Sequence, residues 1–148
     1  MSGTDASEVV IWSADVDEDT LDSVLVDDLP LQYIKLDRLG LTRMGLSKIT
    51  AVQEKDFKVF ADAKIVEIPD KMIEVAKLHL EHQPWMLNVM AGVCSSGYVA
   101  TRKSKKRDGL KRFADLCHTA GTLPCAVTVL TSKSPELVFW EYNTRTPI

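Results

Sequence analysis

The sequence has no apolar run near the roughly 20 residues that a bilayer span requires. Its first eight residues, Met1 to Glu8, carry neither a positive leader nor an apolar stretch, so membrane insertion and secretion are both disfavoured. Cysteine is scarce: Cys94, Cys117 and Cys125 are an odd number with no C-x-x-C spacing, which argues against a disulfide framework and for reduced thiols in a cytoplasmic protein. Charge of one sign is also lacking. Eighteen Lys plus Arg against 21 Asp plus Glu leave a net −3, so nothing attracts nucleic acid or an anionic membrane globally, and any anion site must be local. Glycine (7) and proline (6) are few, and 45% hydrophobic with 26% charged residues is the content of a folding globular chain. At 148 residues a single domain over 1–148 is expected, with 1–8 as a flexible tail and little room for a second unit.

What is present is an alternation. Val9-Val10-Ile11-Trp12, continuing to Val16, is short and β-branched and predicts a first strand. Leu21, Val24, Leu25 and Leu29 then mark one face of a helix ended near Pro30. Residues 31–36 predict a second strand; Leu41, Met44, Ile49 and Val52 a second helix; and 58–66 a third strand. A third helix follows Pro69 through Ile73, Ala76 and Leu80, and 85–91 predict a fourth strand. Leu110, Phe113, Ala114 and Cys117 form a fourth amphipathic helix closed by Gly121, before a fifth strand over 124–131. Residues 135–142 read as a last short helix or an extended tail. Strands alternating with helices on short connections imply an α/β fold with a parallel sheet. Strand order, which periodicity does not supply, decides between a doubly wound sheet and part of a barrel.

Ionisable residues gather where the strands end. Period-two alternation puts Asp62 and Lys64 on one face of the third strand, with Ala61 and Ala63 on the other. Lys35 lies near the carboxyl end of the second strand, Asp15 occupies the equivalent place on the first, and Glu67 follows the third. Ligands and catalytic groups collect at this end of parallel sheets. Singly, each charge reads as a solvated strand end; together they alternate in sign in a way that packing does not require, because a buried ion network is a poor source of stability.

Val10-Ile11-Trp12-Ser13-Ala14-Asp15-Val16-Asp17, Tyr33-Ile34-Lys35, Phe60-Ala61-Asp62-Ala63-Lys64-Ile65-Val66-Glu67-Ile68-Pro69 and Ala126-Val127-Thr128-Val129-Leu130-Thr131-Ser132 resemble, in order, the first, second, third and fifth strands of the orotidine 5′-phosphate decarboxylase family. The Asp-x-Lys-x-x-acid-Ile-Pro segment is the most specific element. The resemblance implies a parallel (β/α) barrel, here shortened to about five strands with helices on the outer face, since a complete eight-unit barrel needs about 200 residues or more. It implies a metal-free carboxy-lyase without organic cofactor that converts a pyrimidine nucleotide to UMP, with Lys35, Asp62, Lys64 and Glu67 at the positions of a Lys-Asp-Lys-Asp tetrad. Asp15 corresponds to a ribose-hydroxyl contact, and Thr131 and Ser132 to the hydroxyl-bearing end that reads the pyrimidine. The family donates the last acid of the motif across a dimer interface, which implies that Glu67 serves a neighbouring subunit. A homodimer would also cover the inner sheet face that five strands leave open. Relatives that hold Mg²⁺ place an acid on the second strand; Lys35 repels a metal there.

Other features carry less. Arg102-Lys103-Ser104-Lys105-Lys106-Arg107 is strongly basic but has no interleaved aromatic residues, so it reads as a solvated loop and nucleic-acid binding is not expected. His79 and His82 lack a third metal ligand and read as surface residues. Cys94-Ser95-Ser96-Gly97 reads as a loop. The rival to an enzyme is a catalytically silent relative that binds a nucleotide or a protein partner through the same pocket.

Overall fold

The computed structural model describes residues 10–25, 30–91 and 109–128. The elements run β1 (Ile11–Ser13), α1 (Glu18–Val24), β2 (Tyr33–Asp37), α2 (Arg38–Met44), α3 (Ser47–Gln53), β3 (Lys58–Ile65), α4 (Pro69–Leu80), β4 (Met86–Met90), α5 (Gly109–Thr119) and β5 (Leu123–Val127). All neighbouring strands are parallel and the sheet is wound in chain order, β1-β2-β3-β4-β5. A doubly wound sheet must reverse direction at a switch point, and this one never does. It is the singly wound arrangement of a β/α barrel.

Local chemistry sets the helix starts. Asp17 caps α1 by accepting from the Thr20 amide at 2.8 Å, and Asp37 caps α2 from the Gly40 amide at 2.7 Å, each satisfying a donor that the first turn leaves unpaired. Pro69 stands at the start of α4, where its missing N–H costs nothing. Packing then follows strand parity. Ile34, Leu36, Val59, Ala61, Leu87 and Val89 are fully buried and share one core with Leu21, Ile49, Met72, Ala76, Phe113 and Cys117 from the helices. Of the residues of opposite parity, Ile11, Ser13, Tyr33, Lys35, Phe60 and Met86 are only half-buried, whereas Asp62, Asn88 and Met90 are buried. Among the described residues no second layer packs on that inner face.

The end of the sheet where strands begin is closed by an aromatic pair. The Tyr33 and Trp85 rings lie 4.6 Å apart, and the Lys58 ammonium sits 5.2 Å from the Tyr33 ring centre, an arrangement favoured by the ring quadrupoles. Between the helices, the buried Lys48 of α3 reaches Glu18 at 3.0 Å and Asp22 at 2.8 Å on α1.

Several expectations are corrected in detail. The second helix is two helices, because Gly45 adopts φ +83°, a conformation that ends α2 and that a residue with Cβ adopts only with strain. The first strand is confined to Ile11–Ser13, although the Ala14 amide still reaches the Lys35 carbonyl at 3.0 Å; beyond it the chain leaves the sheet and Asp17 caps α1. Lys35 is the third of five residues in β2, not at its end, which Asp37 occupies. His79 is buried rather than on the surface, since α4 turns its 72, 76, 79 and 80 face to the core. The first helix ends at Val24, with Leu25 as its C-cap, and not near Pro30. The expected tail 1–8, Leu29, the Cys94 loop, the basic run 102–107, Thr131, Ser132 and the segment 135–142 lie outside the described residues.

Candidate active site

The site is built on an irregularity in β3. Ala61 pairs with Leu87 and Ile65 with Val89, so Asp62, Ala63 and Lys64 together stand opposite the single residue Asn88. Such a bulge bends the strand and re-aims its side chains. Lys64 takes φ +43°, unusual for a residue with Cβ, and its amide is turned out of the ladder. Asn88 compensates: its Oδ1 accepts from the Lys64 amide at 2.7 Å, while its Nδ2 donates to Asp62 Oδ1 at 2.5 Å. The two bonds fix the orientation of the carboxamide, because only oxygen can face an N–H and only nitrogen a carboxylate.

Asp62 is thereby the hub. Its second oxygen, Oδ2, lies 2.5 Å from Lys64 Nζ and 3.5 Å from Lys35 Nζ, and its side chain is 5% exposed against 35% for Lys64 and 28% for Lys35. Burial is the largest influence on its titration and pushes the pKa up. Hydrogen bonds from Lys64 and Asn88 and the positive charges of Lys64 and Lys35 outweigh it, leaving the carboxyl below its ordinary value. The buried carboxylate is ionised, and the three charges sum to one excess positive charge, with both ammonium groups partly open on the inner face. Cys125 of β5, in register with Asn88, faces the same region. Burial and then the Asp62 charge push its thiol pKa up, so it remains a protonated thiol, as does Cys117, which burial raises to about 11.

The structure brings Lys35, Asp62 and Lys64 together and leaves two other candidates apart. Asp15 is exposed and accepts from Ser13 Oγ at 3.0 Å, at the edge of a cleft of about 400 Å³ that Asp37 and Arg43 also line. Glu67 is exposed beyond β3 and lines a different cleft, on the helix side of the strand. Asp62 and Lys64 do share a side while Ala61 and Ala63 are buried, but a bulge with its own amide anchor achieves this, not plain alternation. Asn88 is the member of the cluster that sequence reasoning missed. Its signal was a lone amide in the middle of Met86-Leu87-Asn88-Val89-Met90. Among the described residues no group of three His, Cys, Asp or Glu side chains is placed to hold a metal ion, and no helix is long and apolar enough to cross a membrane.

A singly wound parallel β/α sheet with a polar cluster on its inner face defines a protein of the β/α-barrel class. No family model matches the chain. A curated orotidine 5′-phosphate decarboxylase of Saccharophagus degradans is 30% identical over 136 residues, covering 92% of this chain and 53% of that protein. One of Chromohalobacter salexigens is 32% identical over 103 residues, covering 70% and 39%. The crystal structure of orotidine 5′-phosphate decarboxylase from Lactobacillus acidophilus superimposes with a TM-score of 0.67 at 24% identity, over 95% of this chain and 61% of that one. The chain is a relative of the orotidine 5′-phosphate decarboxylase family, and it spans about half the length of the curated relatives it matches.

Proposed function

We propose that the chain is a single-domain carboxy-lyase of the orotidine 5′-phosphate decarboxylase type, working in the cytoplasm as a homodimer without metal or organic cofactor to form UMP. The observation that carries this reading is the Lys35–Asp62–Lys64 cluster held by Asn88: a buried ionised carboxylate between two accessible ammonium groups. Loss of CO₂ from C6 of the pyrimidine breaks the C6–carboxylate bond and leaves its electron pair on C6. Lys64 is the ammonium that stabilises this carbanion and then transfers a proton to it, regaining one from water. An ammonium about 4 Å from a full negative charge contributes about 4 kcal/mol at an effective dielectric constant near 20, roughly a thousandfold in rate. Asp62 repels the substrate carboxylate and is relieved as neutral CO₂ departs. Lys35 holds Asp62 ionised and in place. Glu67 completes the tetrad in the neighbouring subunit's site, which agrees with its position away from its own Lys64, while Asp15 contacts the ribose and Thr131 and Ser132 the base.

The second reading, a catalytically silent relative that binds a nucleotide or protein partner, is favoured by a cluster of three charges rather than four within one chain. One experiment separates the two. Orotidine 5′-phosphate absorbance is followed with wild type and Lys64→Ala: turnover that falls at least about a thousandfold in the variant supports the enzyme. Absent turnover with wild type, alongside measurable UMP binding, overturns the enzyme in favour of the binder.

A further inference from the structure

A cleft of about 360 Å³ lies behind β3, between that strand and the helices α2 and α4, and on the opposite side from the charge cluster. Its wall is mainly apolar, with Leu41, Leu46, Ile65 and Val75, and Thr42 adds a hydroxyl. Arg38 and Glu67 stand at the exposed rim. One polar side chain in the wall is deeply buried: His79, 9% exposed. Its Nδ1 lies 2.9 Å from the Val75 carbonyl. A carbonyl only accepts, so Nδ1 carries the hydrogen and Nε2 of the neutral ring is a bare acceptor. Burial lowers the pKa of this imidazole, with the His82 charge acting in the same direction against the backbone bond, so it stays neutral near pH 7. No residue among those described partners Nε2.

A buried acceptor without a donor is costly, and a ligand that brings a donor to it removes that cost. The volume falls in the range of small-molecule sites and exceeds that of cavities that hold a single benzene-sized ring. We propose that this cleft binds a small neutral bicyclic aromatic molecule carrying one N–H or O–H donor, the ring against Leu41, Ile65 and Val75 and the donor on His79 Nε2. The proposed contacts lie apart from the Lys35–Asp62–Lys64 cluster, and only Glu67, at the rim, belongs also to the proposed decarboxylation.

Indole is the probe and benzofuran, its isostere without the N–H, the control, each titrated into ¹⁵N-labelled full-length chain while the His79 ring nitrogens are followed by long-range ¹H–¹⁵N NMR. Indole is expected to bind in the millimolar range or tighter and to shift His79 Nε2 upfield. Benzofuran is expected to bind at least about tenfold more weakly and to leave Nε2 in place. Val75→Phe, which fills the cleft, should abolish the indole shift with an unchanged circular dichroism spectrum. Should that variant not fold, the contrast between indole and benzofuran in the wild type decides. Indole that leaves Nε2 unmoved up to its solubility limit, or benzofuran that binds as well as indole, overturns the proposal.

Discussion

Asn88→Ala tests whether the β3 bulge is held as the geometry says. The truncation removes two bonds at once. The Lys64 amide, turned out of the ladder at φ +43°, loses its acceptor at 2.7 Å, and an unmet amide costs about 1–3 kcal/mol. Asp62, 4% exposed, loses the donor on Oδ1; hydrogen bonds to charged groups contribute about 1.5–3 kcal/mol. The two losses share one side chain and one strand segment, so they do not simply add, and water entering from the half-open inner face recovers part of them. A net destabilisation of about 3 kcal/mol is expected, measured as a shift of the urea midpoint at unchanged slope. Asn88→Asp should be worse still at pH 7, because it sets a second carboxylate against Asp62 Oδ1 and supplies no donor. An Asn88→Ala midpoint equivalent to less than about 0.5 kcal/mol, which is the size of an ordinary surface change, would refute the assignment of Asn88 as the anchor.

Gly45→Ala should cost about 1–2 kcal/mol, because alanine must adopt φ +83° at the α2–α3 junction; nothing but the Ser47 hydroxyl at 3.7 Å meets the new Cβ, so a neutral result in thermal unfolding would exclude backbone strain there. The Asp62 carboxyl is lowered in the native state, so the unfolded chain takes up its proton first on acidification. Its stabilisation is complete above the ordinary value of 3.8 and is lost as pH falls through the lower native value. Asp62→Asn should therefore flatten the stability profile in that acid range, and an unchanged acid slope would contradict the charge cluster. His79 is likewise lowered from 6.5, so stability should already decline as pH falls below that value. His79→Gln should remove that part of the slope in melts from pH 7 to pH 5; a slope that persists in full would contradict a buried neutral ring.

The alternation of short β-branched runs with amphipathic stretches made the α/β class legible, and Asp62 with Lys64 two residues apart made the heart of the cluster legible. Period two says only that the pair shares a face. It does not reveal that the strand carries two surplus residues, because a bulge is written in the partner strand's register, which a single sequence does not display. Asn88 was overlooked for the same reason: its importance lies in what stands opposite, and an amide within an apolar strand has no distance attached. The break at Gly45 was not read, since Leu41, Met44, Ile49 and Val52 keep helical offsets across it. His79 was misplaced because its spacing from His82 suggested an exposed pair, and because the stripe read as Ile73, Ala76 and Leu80 is in fact Met72, Ala76, His79 and Leu80. Where Glu67 goes depends on how the chain turns after Ile65, and nothing in the spacing specifies that turn.

The sequential winding of the sheet also shapes how the molecule is assembled. Among the described residues every strand docks beside the one made just before it, from Trp12 against Ile34 to Leu87 against Pro124, so none of these pairings waits for a distant part of the chain. Loop-closure entropy is therefore paid in modest instalments, and each β/α unit can settle onto a finished predecessor as it leaves the ribosome. The same vectorial growth keeps one fresh strand edge exposed at every stage, which makes the growing edge the place where assembly with the wrong neighbour would begin.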